Sequence, residues 1–389
     1  MDKLFGGIIG AGKNSFIGFV HRAAAILRDE AEIKAGVFSS NPDKCIERGI
    51  ELGIERKRIY SNYLEMIKKE NNLPLEERID FVIIATPNSS HYSMTKAFLE
   101  AGFHVISDKP MAISISEALE IKTSQKKSGM VFALTHGYTG YPMIKQTRDL
   151  VRSGKIGEII SILVSYTQGW LSPLINNPET FKSWHLDSAV SGPSCTMIDI
   201  GIHALNLVQT ITGLKPEKVC ADLHSAIPGN QLDDHGSVLI KFNQITNGLL
   251  HASQVSTGEG NALRIKIYGD KASLSWDQEF PEVLEMMHSD GTSTIFKKGT
   301  PVLCEEAQKA SKFPPGHPEG FICAFSNLYS AVFKAIRCIK NNKVSCPGGI
   351  SGWDFPGIEE GITGIAFVEA VLKSNQSFEK WTNVANGRN

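Results

Sequence analysis

Near-continuous apolar runs of strand length punctuate the first third of the chain, at residues 4–9, 33–38, 79–85, 103–106 and 130–135. Such runs read as strands buried on both faces. Helical periodicity fills the gaps. Val20, Ala24 and Leu27 share one face, a second stretch runs through Leu99 and is closed by Gly102, and a third spans residues 116–127. Ser89 or Ser90 is the expected N-cap of the second. Strand and helix in alternation predict a doubly wound parallel sheet over residues 1–136.

A Gly/Pro-rich bend, His136-Gly137-Tyr138-Thr139-Gly140-Tyr141-Pro142, marks the expected domain boundary. Beyond it one helix (143–151) precedes strand-like stretches at 158–168, 218–223, 236–242, 248–255 and 263–268. Consecutive strands without intervening helices predict an α+β second domain, 137–389, with a large, mainly antiparallel sheet. A helix near 358–372 closes the chain and is expected to pack a domain surface.

A length of 389 residues fits two domains, and 42% hydrophobic with 21% charged residues is ordinary globular composition. The net charge of −1 gives no footprint for nucleic acid or anionic membrane. No apolar run approaches the ~20 residues of a membrane span. Met1-Asp2-Lys3 leads straight into a strand, so a cytoplasmic location is expected. The seven cysteines contain no C-x-x-C pair, which argues against a disulfide framework or structural zinc. Buried thiols are expected at most of the seven, Cys45, Cys195, Cys220, Cys304, Cys323, Cys338 and Cys346.

The first strand runs into Gly10-Ala11-Gly12-Lys13-Asn14-Ser15-Phe16-Ile17-Gly18 and then a helix, the setting of a dinucleotide fingerprint. Gly10 is expected to make the turn, and Gly12 to admit a pyrophosphate at the helix N-terminus. Ser15 stands where G-x-G-x-x-G has its third glycine, and Gly18 comes three residues late. A glycine-rich turn without a ligand is the competing reading. After the second strand, Ser39 and Ser40 stand where NAD-specific sites place a carboxylate on the ribose. Lys44 either reaches a 2′-phosphate or is a solvated helix residue.

Two further turns follow buried strands: Thr86-Pro87-Asn88-Ser89-Ser90-His91 and Ser107-Asp108-Lys109-Pro110. Open α/β sheets bind ligands at these carboxyl ends, although Lys109 alone also fits a salt-bridged loop. In the second half, Asp199 and His203 lie four apart, on one helical face. A carboxylate beside an imidazole can orient it and supports proton exchange near neutral pH. A solvated ion pair has the same spacing. Neither H-E-x-x-H nor a supporting cysteine accompanies the pair, so no metal is expected. Asp233-Asp234-His235 reads as a solvated turn.

Asp199-x-Gly201-x-His203 together with Asp108-Lys109-Pro110 and the Thr86–His91 turn resembles the Gfo/Idh/MocA oxidoreductases over essentially the whole chain. Ser15–Arg22, Tyr138–Pro142, Trp184, Leu232–Asp234, Ala252–Gln254 and Pro315–Gly320 resemble a narrower branch, the levoglucosan dehydrogenase-like glycoside 3-dehydrogenases. The resemblance implies an NAD cofactor, with NADP not excluded, on Gly10, Gly12, Ser15, Phe16, Ile17, Ser39, Ser40, Lys44, Thr86, Asn88, His91, Asp108 and Lys109. It carries over Lys109, Asp199 and His203 as catalytic residues. Lys109, Asp199 and His203 with Tyr138, Tyr166, Gln168, Trp184 and His185 would line a sugar or glycoside site. Three departures stand out: Asp108 replaces Glu, Gly137 stands where related sequences tend to have Asn, and His185 follows Trp184 where Arg is common. The implied reaction is hydride transfer at a ring hydroxyl carbon, C3 foremost, in a homodimer or homotetramer. The rivals are an NAD-dependent glycosidase acting by transient C3 oxidation and a non-catalytic cofactor-binding regulator.

Overall fold

The computed structural model describes residues 3–341 and 353–385, so Cys346 lies outside the described residues. The chain forms two compact units. The first comprises Met1–Ala112, Ser116–Gly137 and Phe321–Gly361; the second comprises Ile113–Ile115, Tyr138–Gly320 and Ile362–Asn389. Residues 321–361 thus return to the first unit, a re-entry that a single division at residue 136 does not contain.

In the first unit, β1 (Leu4–Gly10), β2 (Ala31–Val37), β3 (Phe81–Ala85), β4 (His104–Ser107) and β5 (Phe132–Leu134) form a sheet of order β2-β1-β3-β4-β5. Every pair in it is parallel. All five residues of β3 are buried, as a central strand covered on both faces requires. The strand order reverses at β1 and β3, so the turns after these two strands flank the topological switch point. Helices α1 (Phe16–Ile26), α2 (Pro42–Glu51), α3 (Tyr63–Asn71), α4 (His91–Glu100) and α5 (Ile115–Ser128) alternate with the strands. Asn41 starts α2 by accepting the Lys44 amide at 3.1 Å. Ser90 precedes α4 as expected but makes no side-chain cap. Its hydroxyl instead donates to the Pro87 carbonyl at 2.7 Å and pairs with Thr86 Oγ1.

The helix Phe321–Lys340 is long and apolar enough to span a bilayer, contrary to the sequence expectation, because its polar residues are spread rather than clustered. Phe325, Leu328, Tyr329, Val332, Phe333 and Ile336 are nevertheless buried in the first unit, so it is a core helix. The cysteines also depart in one case. Cys45 and Cys195 are buried free thiols, whereas Cys338 is disulfide-bonded.

The second unit holds a nine-stranded sheet of order β13-β12-β11-β10-β6-β9-β8-β7-β14. The five strands predicted from the pattern are β6 (Ile159–Thr167), β7 (Lys218–His224), β8 (His235–Lys241), β9 (Asn247–Ser253) and β10 (Ala262–Gly269). The others are β11 (Ala272–Asp277), β12 (Val283–His288), β13 (Ser293–Lys297) and β14 (Thr382–Asn383). Neighbours are antiparallel except β6 and β9. Ile162, Val164 and Tyr166 give β6 one buried face, against which the helix Ile202–Thr212 packs.

Candidate functional site

The dinucleotide turn is built by close approach. Gly10 has φ of +101°, and a Cβ there would sit 2.1 Å from the Ala85 carbonyl oxygen, so only glycine fits. Ser15 is the N-cap of α1, its hydroxyl accepting the Gly18 amide at 3.1 Å. Gly18 is the missing third glycine: a Cβ on it would fall 2.3 Å from Ala11 Cα, the tight helix–strand contact that the fingerprint needs. Three inserted residues displace it from its usual spacing. Gly12 stays open apart from the Phe38 carbonyl oxygen 3.1 Å from a Cβ position. The free amides of the first turn of α1 and the bare Gly12 backbone therefore suit a pyrophosphate. Phe16 is exposed and stacks on Phe321, and Ile17 is half-buried. At the end of β2, Ser39 Oγ accepts the Asn41 amide at 3.1 Å, while Ser40 and Lys44 are exposed. No carboxylate stands at that strand end.

Lys109 is half-buried, directly after β4, and its peptide bond to Pro110 is cis. Asp108 beside it is buried. Its Oδ1 accepts the Thr135 hydroxyl at 2.8 Å and lies 3.4 Å from His21 Nε2, and His21 Nδ1 lies 2.6 Å from the Tyr329 hydroxyl. Burial works against this carboxylate's charge, but the His21 hydrogen bond and the positive charge nearby, Lys109 foremost, hold it well below the usual carboxylate range. The shorter Asp in place of Glu thus completes a buried network. Gly137 has an equally local cause, since a Cβ there would lie 2.0 Å from the Phe325 ring, which packs edge-on against His21. In the second turn, Asn88 is buried, and both nitrogens of the buried His91 ring face carbonyl oxygens, Pro110 at 2.6 Å and Thr86 at 2.7 Å.

In the second unit Asp199 belongs to a π-helical turn, Met197–Gly201, that leads into the α-helix carrying His203. The wider turn alters the simple α-helical spacing expected for the pair, and π-turns recur at functional sites. Gln254, fully buried, donates from Nε2 to Asp199 Oδ2 at 2.6 Å, while its Oε1 accepts from Thr196 Oγ1 and Cys195 Sγ. Asp233, buried rather than solvated as expected, accepts the amides of Cys195 and Met197 and so anchors the start of the π-turn. Asp234 is fully buried as well, accepting the Ala226 and Ile227 amides. Backbone amides satisfy both carboxylates, which explains how they tolerate burial.

Two tyrosines flank the His203 ring, with centroids 5.6 Å (Tyr138) and 6.0 Å (Tyr166) away. The Tyr138 hydroxyl lies 2.7 Å from the His203 carbonyl oxygen and 2.9 Å from Asn206 Oδ1, its one proton serving either acceptor, so it holds the helix. Burial pushes the Tyr166 phenol up to about 12, and it donates to Asn261 Oδ1, which also accepts from Gln168 Nε2. Gln168 Oε1 in turn accepts the Trp170 indole N–H at 3.1 Å. His185 stacks on Trp184 at 3.7 Å and meets Trp170 edge-on at 5.1 Å. Gln254, Asn261 and Trp170 were not among the predicted site residues. Ala252–Gln254 stands out in the sequence only as part of the branch resemblance, with no role attached to Gln254.

The family model for the NAD-binding Rossmann fold of this oxidoreductase family matches residues 6–136, and the GFO/IDH/MocA C-terminal domain model matches residues 144–275. The chain belongs to the Gfo/Idh/MocA oxidoreductases. Its first unit is an NAD-binding Rossmann domain. It is 30% identical over 387 residues to the uncharacterized oxidoreductase YfiI of Bacillus subtilis, covering 96% of this chain and 95% of that one. Levoglucosan dehydrogenase of Pseudarthrobacter phenanthrenivorans is 24% identical over 315 residues, 74% of this chain and 76% of the relative. The crystal structure of an inositol dehydrogenase homolog complexed with NAD+ from Azotobacter vinelandii superposes with a TM-score of 0.92 at 29% identity, covering 98% and 97% of the two chains.

Proposed function

We propose that this oxidoreductase is an NAD(P)-dependent dehydrogenase that transfers hydride between nicotinamide and a ring hydroxyl carbon, C3 foremost, of a sugar or glycoside. The observation that carries the reading is Lys109, half-buried at the carboxyl end of β4 beside the buried Asp108 carboxylate. A cation so placed can hydrogen-bond a substrate hydroxyl and stabilise developing alkoxide charge. His203 takes the proton in oxidation and returns it in reduction, with Asp199 and Gln254 fixing the turn that precedes it. Bound NAD supplies the hydride-accepting ring. Gly10, Gly12 and the N-terminus of α1 hold its pyrophosphate, and Thr86, Asn88 and the Ser39–Ser40 end of β2 take its ribose and nicotinamide portions.

Trp184, His185, Tyr166 and Gln168 offer a pyranose an aromatic face and polar partners. A cyclic polyol is the second reading, favoured by the inositol dehydrogenase homolog of the same fold. The active form is a homodimer or homotetramer. The test is NADH formation over a panel of pyranoses, glycosides and inositols with NAD, then NADP. Turnover on a ring hydroxyl that falls at least ~10²-fold in Lys109→Ala supports the reading. Release of free sugar without net NADH would assign a glycosidase instead, and cofactor binding without turnover a regulator.

A further inference from the structure

The Rossmann unit contains four buried histidines, His21, His91, His104 and His136, and the partners of three of them determine how many protons each ring needs. A neutral imidazole offers one N–H donor and one lone pair. His104 fits that description, because its Nδ1 accepts the Val131 amide at 2.9 Å. His21 fits it as well: the Tyr329 hydroxyl can donate to Nδ1, while Nε2 donates toward Asp108. His91 does not. Its two ring nitrogens face two carbonyl oxygens, which only accept. Either neutral tautomer would aim a lone pair at an oxygen 2.6 or 2.7 Å away, inside a ring environment with no exposure to water.

We propose that His91 is a buried imidazolium, protonated throughout the neutral range, that fixes the Lys109–Pro110 turn and places a permanent positive charge near Lys109. Both contacts are then charge-assisted hydrogen bonds, whose usual N···O range of about 2.7–2.9 Å they meet or slightly undercut. The charged groups facing the ring come from the segment after β4: Asp108 favours the cation and Lys109 opposes it. Burial is the largest influence and on balance holds the ring below its ordinary value, against the Pro110 carbonyl, Asp108 and the Thr86 carbonyl. The hydrogen-bond geometry decides between them, since no neutral form satisfies both carbonyls.

His91 acts on the reaction only through its neighbours, as a positioning residue. The Pro110 carbonyl that it holds is one residue from Lys109, and the Thr86 carbonyl closes the turn after β3, so one ring ties two ligand-facing turns together. Its charge adds to the positive potential that the Lys109 cation presents to the developing alkoxide. This last consequence rests on Lys109 being the group that meets the substrate.

The direct test is 15N NMR of the histidine-labelled protein between pH 6 and pH 9, with His91 assigned from its absence in His91→Gln. The expected result is one buried ring with two slowly exchanging N–H protons and no titration across that window. A single N–H on that ring, or a titration within the window, overturns the proposal. Should His91→Gln not fold, the count still decides: no buried ring with two N–H protons means no imidazolium. A kinetic arm reads the consequence. In His91→Gln the limb of the kcat/KM profile that reports Lys109 should move to higher pH by more than the experimental error, whereas a purely structural loss lowers the rate at an unchanged limb and refutes the electrostatic role. Retained turnover in Lys109→Ala would sink the assignment of Lys109 alone, because the NMR result is independent of it.

Discussion

Two residues show how far single-position chemistry can be read in this chain. Gly137 stands where the resemblance expects Asn, and its cause is steric, the Phe325 ring occupying the space of any Cβ. Restoring the family's residue with Gly137→Asn should therefore destabilise the fold by about 1–3 kcal/mol, as overpacking does, seen as a lower urea midpoint at unchanged slope. A midpoint equal to wild type would show that Phe325 yields freely. Gln254 is the opposite case, a residue given no role from sequence that holds Asp199, Thr196 and Cys195 at once. Gln254→Leu removes the amide from Asp199 and leaves two buried groups without their acceptor. We expect kcat to fall at least ~10-fold with a smaller change in KM, since a catalytic group displaced slightly loses rate before binding. Lys109, Asp199 and His203 stand out in the sequence because their motifs are local, and their roles rest on the proposed function. Gln254 and Asn261 take no role from the sequence, because each meets its partners only through strand pairing or long-range folding.

Among the elements, the parallel sheet was the most legible part, since strands buried on both faces must be apolar throughout. The second sheet was read only in part. β11 alternates cleanly, Ala272, Leu274 and Trp276 against Ser273, Ser275 and Asp277, but it is only six residues long, and β13 is mostly exposed with no apolar face to mark it. The π-turn was invisible for another reason, because Asp199 and His203 are compatible with either helix pitch. Placement of histidines on β4 and after β5 has an energetic consequence. Burial pushes His104 down to about 4 and His136 down to about 3, in each case because the neutral ring is favoured. Unfolded histidine titrates near ~6.5, so the unfolded chain binds more protons below that pH. The stabilisation is complete above ~6.5 and is lost progressively as pH falls toward the folded values. The urea midpoint should drop from pH 7 to pH 5, and His104→Asn should flatten that slope.

For the whole molecule, the open face of the second unit's sheet makes the most direct demand. Leu163 on β6 pairs across the ladder with Leu249 on β9, and Leu249 pairs with Leu239 on β8. The three leucines are 43%, 37% and 48% exposed, so a contiguous apolar stripe crosses three central strands rather than scattering. Solitary exposed leucines need no explanation, but an adjoining row on the face opposite the helix-covered one marks an association surface. Sequence alternation could place leucines on alternate positions of each strand, yet only the parallel β6–β9 register brings the three side by side. Two copies joined through this stripe would remove it from water at about 25 cal/mol per Å² of apolar area, less the cost of association. Wild-type protein should therefore elute as a dimer or tetramer by light-scattering chromatography. Leu249→Glu puts a charge at the centre of the row and should shift the population toward monomer, with the far-UV spectrum unchanged because the side chain points away from the core. A wild-type monomer, or an oligomer indifferent to Leu249→Glu, would remove this face as the site of assembly.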